Sequence, residues 1–239
     1  MRGAAFKVVI PARLNSTRLP GKVLLPIHGK PMVEHVWRAA CASQADEVLI
    51  ATDDPAVAEV ARGFGAEVVM TAAAHQSGTD RLAEVAALRG WADDTLLVNL
   101  QGDEPLMPPA LLDAAAALLA SDAAADIATF AHPLEDPAHF ANPNVVKVVR
   151  DVRGHALYFS RAPIPYWRDG NGQMPGAPPP LRHIGLYAYR VAALKRFSAL
   201  PPAPLEVCEA LEQLRALTHG LCIQVGVLEV PPPHGVDTQ

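Results

Sequence analysis

The chain reads as an α/β protein with a mixed, mostly parallel central sheet flanked by helices and a smaller sheet subdomain. Three observations predict this. Short runs rich in Val, Ile and Leu recur through the first half, as strands covered on both faces require. Helical patterns separate those runs, which is the alternation of an open α/β sheet. After Asp126 the alternation gives way to closely spaced strand-like segments.

The candidate strands of the first half are residues 7–11, 47–52, 67–70 and 96–100. Between the first two, residues 31–43 set Val33, Val36, Trp37 and Ala40 at helical spacing, and residues 55–64 and 80–89 repeat the pattern. Pro31 and Pro55 stand where a helix tolerates proline best, in its first turn. Residues 110–120 predict a further helix, Ala-rich enough to lie close against the sheet. Past Asp126, strands are expected at 126–132, 145–150, 156–161 and 183–190, with one long helix at 206–219. Residues 169–180, rich in Gly and Pro, predict a surface excursion. No internal repeat and no clean linker divides residues 1–239, so a single domain is expected.

Composition narrows the ligand. Half of the 239 residues are apolar and 19% are charged, enough for a substantial core. The formal net charge of −5 argues against nucleic-acid or anionic-membrane partners, which call for positive charge spread over a face. Cys41, Cys208 and Cys222 stand far apart, form no CxxC pair, and read as buried thiols of a reducing cytosol. Residues 1–11 lack a signal-peptide pattern and no run approaches a membrane span, so a cytoplasmic protein is expected.

Two segments carry chemistry. Val8-Val9-Ile10-Pro11 opens into a loop with three cations, Arg13, Arg18 and Lys22, within ten residues. A loop at the end of a buried strand can offer backbone N–H groups and side-chain charge to one polyphosphate; a solvated basic turn is the plainer alternative. The strand at 96–100 runs into Gln101-Gly102-Asp103-Glu104-Pro105, which brings a carboxylate out at a strand end, where an open α/β sheet binds ligands. Mg²⁺ takes one or two such carboxylates together with phosphate oxygens, although an Asx-type turn would use the same residues. Gly102 permits close approach of a ligand, and the Gln101 amide suits a base or a sugar. The Walker loop, the dinucleotide fingerprint, H-E-x-x-H and G-x-S-x-G are all missing.

Seven blocks, in order along nearly the whole chain, carry a resemblance. They are Pro11-Ala-Arg-Leu-Asn-Ser-Thr-Arg-Leu-Pro-Gly-Lys22, Gln76-Ser-Gly-Thr-Asp-Arg81, Gln101-Gly-Asp-Glu-Pro105, Asn142-Pro-Asn144, Tyr158-Phe-Ser-Arg161, Arg182-His-Ile-Gly-Leu-Tyr187 and Gly235-Val-Asp-Thr238. Together they resemble the 3-deoxy-D-manno-octulosonate (KDO) cytidylyltransferases, the CMP-KDO synthetases. The resemblance implies a glycosyltransferase-A-like nucleotidyltransferase fold, a homodimer, Mg²⁺ dependence, and transfer of CMP from CTP to KDO for lipopolysaccharide assembly. Ser16-Thr17-Arg18-Leu19-Pro20 favours KDO over sialic acid, because the related CMP-sialate synthetases space this loop differently.

The resemblance also implies roles. Residues 1–125 would form the nucleotide-binding half and residues 126–239 the sugar-binding and dimerisation half. Arg13, Arg18 and Lys22 would hold the triphosphate, and Asp103 and Asp237 the Mg²⁺. Backbone around Ala12, Ser77, Gly78 and Thr79, with Arg81 and Gln101 nearby, would select cytosine. Arg161 would meet the KDO carboxylate, His183 and Tyr187 its hydroxyls, and Glu212 and Gln213 its far end. His28, His35, His75, His132, His139, His155 and His219 form no cluster and are read as structural. The family usually continues past Val236-Asp237-Thr238 with a proline and an acidic helix, whereas this sequence stops at Gln239, and Pro231-Pro232-Pro233-His234 replaces a glycine-bearing approach. A loosely held Asp237 is therefore expected. The alternatives are a cytidylyltransferase for 8-amino-KDO or a sialic acid, and a truncated CTP-binding relative without catalysis.

Overall fold

A computed structural model describes residues 4–14, 19, 21–75, 77–233, 235 and 236. Chain order begins with β1 (Phe6–Pro11), a 3₁₀ turn (Lys22–Leu24), and a small hairpin of β2 (Pro26–Ile27) and β3 (Lys30–Pro31). Then come α1 (Met32–Cys41), β4 (Glu47–Thr52), α2 (Pro55–Gly63), β5 (Glu67–Met70), α3 (Gly78–Leu88), β6 (Leu96–Asn99) and α4 (Pro109–Ser121). The second half runs β7 (Ile127–Pro133), α5 (Pro137–Ala141), β8 (Lys147–Arg150), β9 (Ala156–Ser160), β10 (Leu181–Arg190), α6 (Val191–Ser198), α7 (Pro204–Glu209), α8 (Gln213–Thr218) and β11 (Ile223–Val227).

The main sheet has the order β11-β7-β10-β6-β1-β4-β5. The pairs β1/β4, β1/β6, β4/β5 and β7/β11 are parallel, while β10 runs antiparallel to both β6 and β7. Strands β8 and β9 form an antiparallel annex on the first residues of β10. This is the mixed, mostly parallel sheet that the sequence predicts.

Alternation along the strands divides the core in two. Val8 and Ile10 of β1 face α1, α2 and α4, while Val9 between them faces α3, α6 and α8. All three valines and isoleucines are fully buried, each contributing about 1.5–3 kcal/mol of apolar burial. Helix starts follow the sequence closely: Asp54 caps α2 with its carboxylate accepting from Ala56 N at 2.8 Å, and Pro55 takes the first helical position. Pro31 is the residue before α1 rather than within its first turn.

Three expectations need correction. The long helix at 206–219 is two short ones, α7 and α8, broken where Ala210 adopts a left-handed backbone (φ 48°). Arg161 supplies the physical reason, since its Nε and Nη2 donate to the Glu209 and Ala210 carbonyls and end α7 there. The second half also contains α5, α6 and β11, so it is more than strands around one helix. The cysteines are free but not core residues: Cys41 and Cys208 are exposed, at the end of α1 and on a helix with no buried residue, and Cys222 is half-buried. Residues 169–180 form turns and bends without helix or strand, as expected of a surface excursion.

Candidate functional site

The carboxyl ends of β1 and β6 come together with the start of α3. Ala12, directly after β1, is fully buried and donates its N–H to Ala51 O at 2.9 Å. The loop after β6 lies against this point so closely that a Cβ on Gly102 would sit 2.9 Å from Pro11 O, and only glycine fits. Gly78, in the first turn of α3, packs on the Pro11 ring, where a Cβ would meet Cγ at 3.5 Å. Ser77 fixes that helix start: its hydroxyl accepts from Asp80 N at 3.1 Å and its N–H donates to Asp80 Oδ2, a reciprocal capping box. Three backbone segments thus frame one cleft.

Across this cleft Lys22 donates to Asp103 Oδ2 in a close ion pair. The two side chains are only 13% and 24% exposed, so the pair is held at the strand end rather than out in solvent. Arg13 stands on the same rim, half-buried, and its charge reaches Arg81. Arg18 and Asp237 lie outside the described residues. The chain leading to Asp237 is nonetheless tied down: Val236 N–H donates to Asp103 O at 2.8 Å, and Gly235 packs against the Asp103 and Glu104 backbone and stem. The Asp103 carboxylate at this strand end is a hard oxygen donor of the kind Mg²⁺ takes from protein. Among the described residues no group of three or more His, Cys, Asp or Glu side chains is placed to hold a metal ion.

Arg81 is buried, 1% exposed, and ties α3 to the ends of β4 and β5: Nη1 donates to Thr71 Oγ1 and Nη2 pairs with Asp53 Oδ1 at 3.0 Å. Burial pushes its guanidinium below the usual arginine range, against the attraction of Asp53. Its own contacts are with protein, so it shapes the cleft floor from behind. Gln101 is half-buried at the cleft edge, its carbonyl accepting from Glu104 N.

The second wall is the face formed by β10, β7 and the α7–α8 corner. A bulge in β10 between Ile184 and Tyr187 is filled by the buried Thr129, whose Oγ1 lies 3.0 Å from Ile184 O, 2.9 Å from Leu186 O and 3.0 Å from His183 Nε2. The hydroxyl proton goes to a carbonyl, which can only accept, so Oγ1 accepts from His183 Nε2–H and leaves Nδ1 as an acceptor. Burial, reinforced by the Arg182 charge, pushes the His183 pKa down to about 3, which keeps the ring neutral. His183 stacks edge-on to Phe159 and lies 5.4 Å from the Tyr187 ring, which in turn stacks on Tyr189 at 5.9 Å. Burial also drives both phenols upward, Tyr187 and Tyr189 each facing Glu212, so both stay protonated donors.

Glu212 opens α8 and joins the two walls: Thr79 of α3 donates to its Oε2 at 2.8 Å. Gln213, beside it, lines with Tyr187 and Tyr189 a small cavity of about 50 Å³. Arg161 holds this corner. Besides capping α7, its Nη1 donates to Pro143 O at 2.9 Å, so three of its five N–H donors are spent on carbonyls. Sequence reasoning missed the supports behind it. Lys147 is fully buried, and its ammonium donates to Asn142 O, Val145 O and Arg161 O at 3.1, 2.6 and 2.6 Å. Glu209 receives Ser160 Oγ at 2.6 Å and Arg161 N at 2.9 Å. A lone cation inside the apolar run Val145-Val146-Lys147-Val148-Val149 was the available signal.

Comparisons with known proteins bear on the family and the fold. A cytidylyltransferase family model matches residues 7–223. Proteins named 3-deoxy-manno-octulosonate cytidylyltransferase are similar over nearly their full length: one from Pseudomonas fluorescens (strain SBW25) is 54% identical and one from Pseudomonas syringae pv. syringae (strain B728a) 53%, each match covering 98% of this chain and 94% of the relative. A solved structure of a CMP:2-keto-3-deoxy-manno-octonic acid synthetase complexed with CTP superposes with a TM-score of 0.89 at 42% identity, over 98% of this chain and 94% of that one. A cytidylyltransferase from Leptospira borgpetersenii serovar Hardjo-bovis (strain JB197), 16% identical, shares the fold with a TM-score of 0.60 over 98% and 82% of the two chains.

Proposed function

This chain belongs to the cytidylyltransferase family, and on that premise we propose that it transfers CMP from CTP to 3-deoxy-manno-octulosonate, releasing pyrophosphate. The observation that carries the reading is the Lys22–Asp103 pair at the carboxyl ends of β1 and β6, with the β10 face and Glu212 across from it. One cleft then offers cations for a triphosphate, a carboxylate for its metal, and a polar wall for a sugar acid.

In the reaction the anomeric hydroxyl oxygen of the acceptor bonds to the α-phosphorus, the bond from that phosphorus to the β-bridging oxygen breaks, and pyrophosphate leaves. Like charge guards the α-phosphorus, so neutralisation is the main task. Arg13, Arg18 and Lys22 hold the triphosphate and the charge that grows on the leaving group. Asp103 and Asp237 would hold Mg²⁺, which would supply positive charge against the phosphates and lower the pKa of the attacking hydroxyl. The backbone of Ala12 and of Ser77, Gly78 and Thr79 meets the cytosine edge in the space framed by Pro11, with Gln101 alongside and Arg81 holding the floor rigid. On the acceptor side, the neutral His183 and the protonated Tyr187 meet hydroxyls, Glu212 and Gln213 the far end, and the two remaining donors of Arg161 the carboxylate.

The same reading makes the enzyme a cytoplasmic homodimer that serves lipopolysaccharide assembly. Exposed apolar side chains of the second half, Leu157 on the edge strand β9 with Tyr166, Trp167, Leu205 and Val207, support a partner surface there. No described helix is long and apolar enough to cross a membrane. The test is pyrophosphate release from CTP and Mg²⁺ with 3-deoxy-manno-octulosonate, 8-amino-KDO or N-acetylneuraminate as acceptor. Release dependent on the first supports the reading, and its absence overturns it. Sedimentation of the wild type and of Leu157→Lys checks the dimer, which should weaken in the variant.

A further inference from the structure

We propose that Asn99 is a further acceptor-binding residue, its side-chain oxygen receiving a hydrogen bond from a hydroxyl of the sugar acid. The inference rests on the reading above and names a residue outside the motif blocks that suggested it.

Asn99 is the last residue of β6 and is 2% exposed. Its Oδ1 is buried and has no hydrogen-bond partner among the described residues. Buried polar groups are nearly always paired, so an orphan of this kind needs an explanation. Packing does not supply one, because Val9 stands opposite Asn99 in the parallel pair and Leu97 precedes it on the same face, both fully buried. A leucine would fill such a place without an unmet acceptor.

The register points to the acceptor side of the cleft. Asn99 is directly opposite Tyr187 on β10, and Tyr187 is directly opposite Thr129 on β7. Side chains opposite one another in neighbouring strands share a face. Asn99, Tyr187 and Thr129 therefore form a polar row, continued by His183 on Thr129, on the face that Tyr187 shares with Glu212. Glu212 Oε1 is a second buried oxygen without a partner among the described residues. Two unmet acceptors on one wall call for a ligand rich in O–H donors, and a polyhydroxylated acid is such a ligand. Asn99 also lies four residues before Asp103 on the same stretch of chain, which puts it at the end of the cleft where the metal carboxylate stands. It would accordingly read a hydroxyl near the reacting end of the sugar, and Glu212 one farther away.

A site built to hydrogen-bond a substrate hydroxyl discriminates against the analogue lacking it. The experiment compares wild type with Asn99→Leu and Asn99→Ser, using 3-deoxy-manno-octulosonate and its monodeoxy analogues as acceptors and CTP as donor. The expected result is an acceptor KM raised about tenfold, a CTP KM within about twofold, and an unchanged or higher Tm for Asn99→Leu. One monodeoxy analogue should lose activity with wild type but no further activity with the variants, so that the two losses do not add. A purely structural role would lower Tm or move both KM values together. Should Asn99→Leu not fold, Asn99→Ser carries the same comparison. An unchanged acceptor KM, or additive losses for every hydroxyl, overturns the inference alone. If wild type fails to turn over 3-deoxy-manno-octulosonate, the proposed function falls and this inference with it.

Discussion

The two walls of the cleft are built by different means. The wall proposed for the nucleotide is mostly backbone: the ends of β1 and β6, the start of α3 and a glycine pressed on Pro11 O leave the side chains little to arrange. The wall proposed for the acceptor is made of side chains, held by a bulge, a left-handed corner at Ala210 and a buried ammonium. A regular frame can be disabled only at the groups that do the chemistry, whereas an irregular one can be disabled from behind. Substitutions on the first wall should cost turnover at nearly constant stability, and those on the second should shift stability and acceptor binding together.

The largest effect is expected at the shared strand end. Asp103→Asn still accepts from Lys22, so the fold and CTP binding should survive, the latter within about tenfold, while turnover should fall roughly 10³-fold if the carboxylate proposed to hold the metal is lost. Stopped assays with Mg²⁺ and isothermal titration of CTP separate the two, and normal turnover would refute the metal role. Lys22→Met comes next. It leaves Asp103 partly exposed and able to hydrate, so Tm should move little, but the loss of one preorganised donor to the leaving group should cost on the order of 10²-fold in kcat/KM. An equal loss of Tm would mean that the pair is structural.

The contrast between the walls also explains what the sequence made visible. Val8, Val9 and Ile10 alternate into two core layers, so the strand and the loop following it are written in local pattern, and with them Arg13, Lys22 and Asp103. The acceptor wall depends on pairings far apart in sequence. Arg161 ends α7 forty-eight residues away through Glu209 O, and no periodicity in residues 206–219 marks that stop, which is why one helix was expected where two exist. The motif around Arg161 suggests a carboxylate ligand; that three of its five donors are committed to carbonyls is visible only in three dimensions. Thr129 and Glu209 lie in none of the blocks and matter only because β10 bulges and α7 turns back.

Lys147→Met sharpens the comparison from behind the acceptor wall. The methionine fills much of the volume but donates nothing, leaving the Asn142, Val145 and Arg161 carbonyls without their shared donor. The expected cost is about 3 kcal/mol in urea unfolding, together with a higher acceptor KM as the Arg161 corner loosens, and a CTP KM close to wild type. If the CTP KM rose as much as the acceptor KM, the two walls would not be independent.

The smallest effect should be a change of slope. His183 has its pKa pressed to about 3 by burial and by Arg182, against 6.5 for an ordinary histidine. Between those values the unfolded chain binds a proton that the folded chain does not, so stability is full above about pH 6.5 and declines as pH falls toward 3. His183→Gln can still donate to Thr129 Oγ1 while removing the titration. Urea unfolding at pH 7, 5.5 and 4 should therefore show the variant least favoured at pH 7 and gaining on wild type at each step down. Parallel curves would mean that the ring is already reachable by water and protons in the folded state. The polar row it shares with Tyr187 would then be a wet surface rather than a dry wall waiting for a sugar.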